Sequence, residues 1–479
     1  MDYNEMARRS PMPVNSFIDY PMSWKPDRSR LKRPVYLSLA RKLEEDILTG
    51  ELAPGTKLPP QRELADYLDI NFTTVTRAYK LCEEKGLLYG KTGSGTFVAP
   101  STIRDHTISL IHSGGSIDLA LVASFEQCNH MVKNAAKKAA GKNYFPLLLN
   151  YDDPTGMPHH KQAGLQWMEG FGVRAEEDCV AIASGGLNAL ALTLFGLFSP
   201  GDRIAVDRYT YANFIGLAKL SHVQFLPVEG DDEGMLAEEL DLLCRNTRVR
   251  GVFLMPSCCN PTTTVISHRR KIRLAEIISK HNLILIEDDI HAFMAPGILE
   301  DYVCPLSMLV PDNSVYICST SKALSSGLRV AYMVFGQPLK DPLLQAMFNI
   351  NVKTSGLNAE IVTELIISGM AGAIMNEKRQ LLTQANAMFN ALFPESAGAG
   401  HPLSFFRWLP VPRELDSIAG EERLLKAGVR VLRSGRFLCG PVKAEPGGDK
   451  GFLRISLSST NSLEQLQIGL QILKRELSR

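Results

Sequence analysis

The densest reactive chemistry in the sequence lies in the stretch Ser319-Thr320-Ser321-Lys322-Ala323-Leu324-Ser325-Ser326-Gly327-Leu328-Arg329. A lysine that follows an apolar run, sits between hydroxyls and has an arginine seven residues later can form a Schiff base while its neighbours hold an anion. The hydroxyls of Ser319 and Ser321 and the guanidinium of Arg329 suit the several acceptors of a phosphate. A second set lies near the N-terminus, where Thr73, Thr74, Thr76, Arg77 and Lys80 fall on the exposed side of one helix, with Arg62 ahead of them and Lys91 in a glycine-rich turn behind. Hydroxyls and guanidinium groups contact base edges or phosphates, and helix N-termini and turn amides favour phosphate, so this second set points to double-stranded DNA.

The elements that must position these residues belong to more than one domain, because 479 residues exceed an ordinary domain. A composition of 45% hydrophobic and 22% charged residues is that of a globular chain and excludes the disordered and membrane classes. The opening MDYNEMARRSPMPVNSF has no apolar core of a secretory signal, so a cytoplasmic location is expected. The nine cysteines then read as reduced thiols, with no CxxC pair, and the vicinal Cys258-Cys259 as buried packing. No metal-ligand spacing is visible, and no metal is expected. The net charge of +1 conceals a local bias, since Lys25, Arg28, Arg30, Lys32 and Arg33 make residues 1–33 a basic N-terminal arm, predicted to be mobile.

Residues 34–99 read as a compact DNA-reading module. Tyr36, Leu39, Leu43 and Ile47 at helical spacing predict a helix over 36–49, ended by Gly50. A second helix follows Leu58-Pro59-Pro60 and buries Leu64 and Leu68. A third runs over 72–86, capped by Asn71, with Val75, Ala78, Tyr79 and Leu81 available for packing. Leu87-Leu88-Tyr89 and Thr96-Phe97-Val98 flank Gly90-Lys91-Thr92-Gly93-Ser94-Gly95 as a two-stranded wing. The third helix is the one that would enter a major groove. Residues 100–116 lack periodicity and read as a linker. From 117 to 479 the apolar runs Val180–Ala183, Arg203–Val206, Val252–Met255, Leu283–Ile286 and Val315–Cys318 alternate with helical stretches, which predicts an α/β domain with a mostly parallel sheet covered by helices.

The string GELAPGTKLPPQRELADYLDINFTTVTRAYKLCEEKGLLYGKTGSGTFV resembles the winged helix-turn-helix of the GntR family of bacterial regulators. It departs at Phe72, where many members carry arginine. The remainder resembles the fold-type-I, aspartate aminotransferase-like superfamily of pyridoxal phosphate (PLP) proteins, whose fold has a smaller C-terminal α+β lobe. This resemblance implies that Lys322 forms the Schiff base with PLP and that Gly185, Gly186 and Leu187, in Ser184-Gly185-Gly186-Leu187-Asn188, cradle the cofactor phosphate at a helix N-terminus. It places Tyr211 against the pyridine ring. Asn260, in Pro256-Ser257-Cys258-Cys259-Asn260-Pro261-Thr262, falls on the phenolic oxygen, with Thr263 where relatives have glycine, so that the following turn is expected to differ. Asp288 holds the ring nitrogen protonated. Relatives carry a tyrosine just beyond that aspartate; here stand Ile290 and His291, and His291 is either a substitute donor or structural. Arg454, in Gly451-Phe452-Leu453-Arg454-Ile455-Ser456, matches the grip on a substrate carboxylate. Tyr151 resembles a position that reaches a partner subunit's phosphate.

Winged helix and aminotransferase-like domain in this order resemble the MocR subfamily of GntR-type regulators. The resemblance implies a PLP-dependent transcription regulator, a homodimer, that senses an amino acid, an amine or PLP itself. The alternatives that remain are a working aminotransferase with an accessory DNA-binding module, and a PLP-dependent lyase or decarboxylase.

Overall fold

The computed structural model describes residues 22–48, 51–52, 55–84, 87–91, 95–98, 115–151, 153–440 and 450–478. Most of the 1–33 arm, nearly all of the 100–116 linker and the tip of the wing lie outside these residues. The chain divides into two compact units, 1–104 and 105–479.

The smaller unit holds three helices, Val35–Leu48, Gln61–Leu68 and Phe72–Glu84, and the antiparallel strands Leu88–Lys91 and Gly95–Val98. Leu39, Leu43, Leu64, Leu68, Val75 and Ala78 are completely buried in one cluster. Each buried leucine stabilises by about 1.5–3 kcal/mol, and this core holds the short helices in place, since isolated helices of such length are marginal. Asn71 Oδ1 accepts from the Thr73 amide at 2.9 Å, which starts the third helix as a cap does. Leu81 is only half-buried, and Cys82 fills the expected core place instead. The described end of the basic arm is packed rather than loose. Trp24 is buried in this core, and its indole N–H donates to Asp46 at 2.8 Å.

The larger unit is built on a seven-stranded sheet in the spatial order Val180–Ala183, Ala331–Phe335, Ser314–Ser319, Ile284–Asp288, Gly251–Leu254, Arg203–Asp207, Gln224–Val228. All strands run parallel except Ala331–Phe335, antiparallel to both neighbours. That strand, and Gln224–Val228 at the edge, had no counterpart in the sequence reading. The central strands are continuous apolar runs because both faces are covered. Ile286 and Leu285, adjacent in sequence, pack into different clusters on opposite sides. A smaller lobe has an antiparallel sheet of Phe406–Pro412, Lys450–Ser456 and Leu432–Arg433 against the helices Met370–Leu392 and Leu463–Leu477. Ile117–Asp118 pairs with Val429–Arg430 and stitches the start of the unit onto this lobe. Among the described residues no single helix is long and apolar enough to cross a membrane.

Thr263 takes a φ of 64°, the left-handed region that glycine reaches without strain. The conformation is held because Thr263 N donates to Cys259 O at 2.7 Å and Thr263 O accepts from the His401 amide at 2.8 Å. A β-branched residue here costs about 1–3 kcal/mol.

Candidate ligand pocket and nucleic-acid face

Parallel α/β sheets gather their loops at the carboxyl ends of the strands, and ligands bind there. In this unit the strands Ile284–Asp288 and Ser314–Ser319 deliver their last residues, and the helix that follows Val180–Ala183 its first, to one cavity of about 200 Å³, more than the roughly 150 Å³ that takes up a benzene ring. Gly186, Leu187, Tyr211, Asn260, Asp288, His291, Ser319, Ser321, Lys322, Arg329 and Arg454 all line it. Gly185 stands just behind, at a φ of 93°, where a Cβ would run into the Arg329 guanidinium. Tyr151 is not in the lining; it stands on the surface, 88% exposed.

One end of the cavity is an anion cup. The helix Gly186–Leu197 starts there with its free amides. Ser319 Oγ donates to Ser321 Oγ at 3.1 Å, and Arg329 Nη1 donates to the same Ser321 Oγ at 3.1 Å.

Elsewhere the lining has buried polar groups with atoms that lack a partner among the described residues. Asp288 Oδ1 has no hydrogen-bond partner among the described residues, and burial, reinforced by the neighbouring Asp289, pushes the Asp288 carboxyl up to about 7. His291 Nδ1 is likewise unpartnered, and burial, with the Lys322 charge nearby, lowers the imidazole to about 3, so the ring is neutral. Arg454 is 1% exposed, donates to Asn260 Oδ1 at 3.0 Å and to Ala120 O, and leaves Nε unpartnered. It has no carboxylate partner among the described ion pairs, and burial lowers it to about 9. An unpaired buried guanidinium is costly and is relieved by an anionic ligand.

Lys322 lines the same cavity. Its Nζ donates to Val122 O, and burial, followed by the charges of Arg454, Lys378 and Arg329, lowers it to about 7, so a large fraction is the nucleophilic free amine at neutral pH. Lys378 was not anticipated. It is fully buried beneath this segment, and its Nζ donates to Lys322 O at 2.9 Å and Leu324 O at 2.6 Å. Val122, Asn213 and Phe406 also line the cavity without a signal in their own stretches of sequence. Cys258 and Cys259 are buried and free, and both thiols are raised by burial.

On the smaller unit Arg62, Thr73, Arg77 and Lys80 are exposed, while Thr74 and Thr76 are half-buried. Thr76 Oγ1 donates to Gln61 Oε1 at 2.8 Å, so that hydroxyl is occupied internally rather than free as expected. Arg77 rests over the Tyr36 ring at 4.4 Å and Arg62 over Phe72 at 5.8 Å. Phe72, which departs from the usual arginine, therefore supports a neighbouring arginine. The Lys91 backbone lies in the wing.

These features define a two-unit protein, a winged-helix nucleic-acid reader joined to an aminotransferase-type ligand domain. Residues 35–98 match the bacterial regulatory proteins of the gntR family, and residues 122–473 match aminotransferase class I and II, a PLP-dependent family. The chain belongs to the MocR subfamily of GntR-type transcription regulators. It is 35% identical to the HTH-type transcriptional regulator YdeF of Bacillus subtilis over 97% of its length and 99% of that protein's. It is 28% identical to the 2-aminoadipate transaminase of Thermus thermophilus over 69% of this chain and 82% of that one, and 28% identical to the vitamin B6 salvage pathway transcriptional repressor PtsJ of Salmonella typhimurium over 60% and 65%. Among solved structures, LysN, the alpha-aminoadipate aminotransferase of Thermus thermophilus, superposes with a TM-score of 0.68 at 23% identity over 79% of this chain and 94% of that one, which speaks for the fold.

Proposed function

We propose that this DNA-binding regulator takes PLP in the cavity around Lys322 and changes its DNA binding when an amino acid, an amine or PLP itself arrives there. The observation that carries the reading is the orphaned Asp288 Oδ1, a buried carboxylate oxygen without a partner among the described residues in a residue that lines the same cavity as the anion cup. A molecule with a phosphate at one end and a protonated ring nitrogen at the other satisfies both at once. Gly185, Gly186, Leu187, Ser319, Ser321 and Arg329 would hold the phosphate, Asp288 the ring nitrogen, Tyr211 the ring face, Asn260 and the neutral His291 the ring's polar edge, and Lys322 the carbonyl carbon. When bound, PLP supplies an electrophilic carbonyl that captures amines and a ring that accepts electrons. Lys322 supplies a free amine near neutral pH, and Arg454 supplies a charge for an effector's carboxylate.

Effector binding alters DNA affinity only through different affinities for two arrangements of the protein. Arg62, Thr73, Thr74, Arg77, Lys80 and Lys91 are the DNA contacts in this reading, with Thr76 positioned against Gln61. Phe195 and Leu187 on one helix, and Phe348 and Ile350 on a second that packs against it, are exposed apolar side chains that a homodimer contact would cover in this reading. A regulator of DNA that senses metabolites acts in the cytoplasm. Residues 34–99, 100–116 and 117–479 then serve as reader, linker and sensor.

The second reading, a working aminotransferase, is favoured by the unpaired buried Arg454 and by the likeness to a transaminase. One experiment separates the two. Purified protein is loaded with PLP and titrated with amino acids and amines while the cofactor's visible absorption and binding to the DNA upstream of its own gene are followed. The regulator reading expects sequence-selective DNA binding that responds to the ligand. Rapid multiple-turnover amino-group transfer to a 2-oxo acid without selective DNA binding would overturn it.

A further inference from the structure

His159 and His160 open the helix Pro158–Glu169, and Glu360 lies near the start of the helix Gly356–Ile367. Both imidazole Nε2 atoms converge on one carboxylate oxygen, with His159 Nε2 at 2.8 Å and His160 Nε2 at 2.9 Å from Glu360 Oε2. One ligand atom from each of the three residues lies within 4.8 Å of the others. No metal is expected from the sequence, in which Glu360 lies 200 residues beyond His160; the fold creates the cluster.

We propose that His159, His160 and Glu360 bind a divalent transition-metal ion of the zinc type, at a site separate from the Lys322 cavity. Two imidazoles and one carboxylate are a borderline-soft set that suits zinc, with a fourth position left for water. Ligand atoms in such a tetrahedral shell stand roughly 3.3 Å apart, so the present contacts need to open by only a few tenths of an ångström. The entering ion replaces the two imidazole N–H groups as the partner of the carboxylate, and each ring moves its proton from Nε2 to Nδ1, so no co-reactant is needed.

The partners of the carboxylate are ones that an ion can replace. The Glu360 side chain is 1% exposed, and its oxygens meet His159, His160 and the hydroxyl of Tyr144, which donates to Oε1 at 3.0 Å. Lys142 stands 3.9 Å from Oε1 and is engaged by Glu364 in a much closer pair, and the charge of Lys353 also acts on His160. The carboxylate is thus already held by three donors, and a divalent ion would take the place of the two imidazole donors while Tyr144 stays. Tyr144 would then fix the carboxylate from outside the coordination shell. His159 is 40% exposed, which opens a path from solvent. The two helices come from distant parts of the chain, and Asn358 on the second donates to Leu328 O beside Arg329 at 3.0 Å, so the ion would tie together elements that support the anion cup.

The test is zinc binding by the full-length, PLP-loaded protein, first stripped with a chelator and then titrated with zinc chloride by calorimetry, with metal content measured after gel filtration. One retained equivalent per chain is expected, weakened at least roughly a hundredfold by His159→Ala or Glu360→Gln and about ten- to a hundredfold by Tyr144→Phe, with the fold intact by circular dichroism. Cobalt substitution should give the visible bands of nitrogen and oxygen ligation. The proposal is overturned if the wild-type protein retains no zinc, if His159→Ala binds as tightly as wild type, or if the cobalt spectrum shows thiolate ligation. Should Glu360→Gln fail to fold, the half-exposed His159→Ala decides alone.

Discussion

In the proposed reading the two units hold charged partners in opposite ways. On the DNA-reading unit the polar side chains are exposed and already supported: Asn71 caps its helix, Thr76 bonds Gln61, Arg77 lies on Tyr36 and Arg62 on Phe72. In the ligand cavity Asp288, His291 and Arg454 are buried with atoms left unpaired. A long polyanion is met by a prepared surface, and selectivity comes from where the contacts fall along it. A small molecule is met by a pocket that stores unmet electrostatic demand until the ligand arrives. The former should tolerate single losses; the latter should not.

The sharpest attack on this contrast is Lys322→Ala, which should abolish the cofactor's visible absorption band while leaving the winged helix folded; persistence of the band would place the covalent bond elsewhere. Asp288→Asn should weaken PLP binding by about 1.5–3 kcal/mol, the range for a hydrogen bond to a charged group, measured by equilibrium dialysis. It should also flatten a pH effect. The Asp288 carboxyl is raised to about 7 from an ordinary value of 3.8, so the folded ligand-free protein holds a proton that the unfolded chain releases. This contribution therefore falls as pH rises from about 4 to 7, and chemical denaturation across that window should show a smaller decline in the variant.

Arg77→Ala should cost about 1–3 kcal/mol of operator binding if the arginine reads a base, or reduce the salt slope by about one if it meets a phosphate, with PLP content unchanged in either case. Simultaneous loss of DNA and cofactor binding would break the division between the units. Arg454→Ala should diminish the response to carboxylated effectors while PLP stays bound, and an unchanged titration would mean that the effector carries no carboxylate for this arginine. The smallest effect belongs to Thr263→Gly, which should stabilise the larger unit by about 1 kcal/mol, seen as a modest rise in its thermal midpoint.

Much of this was readable before any coordinates, and the reason differs by region. The three helices and wing follow from Leu39, Leu43, Leu64 and Leu68 at helical spacing, a cap at Asn71 and a glycine-rich turn, all local signals. The parallel strands announce themselves because burial on both faces demands unbroken apolar runs, as at 284–286. Ala331–Phe335 is equally apolar, but periodicity alone could not distinguish an antiparallel insert from a loop end or a helix start. Within the cavity the motif residues were legible because each sits in a short stretch with its own chemistry. Lys378, Val122 and Phe406 were not, since their roles depend on partners tens to hundreds of residues distant. Trp24 escaped for a related reason: charge around it suggested a loose arm, whereas one indole in the core holds that segment down.

That indole has a practical consequence. The chain carries three tryptophans. Trp24 is buried in the DNA-reading unit and Trp167 in the main core of the larger unit, while Trp408 is half-buried in its smaller lobe, stacked on Phe452 at 5.2 Å and paired across the sheet with Arg454. Each region therefore carries its own fluorophore. With Trp167 and Trp408 replaced by phenylalanine, emission would arise from the winged helix alone; with Trp24 and Trp167 replaced, it would arise beside the cavity and be quenched by an absorbing ligand. The melting of one unit, and the arrival of a small molecule in the other, can thus be followed by light in the same polypeptide without attaching any label.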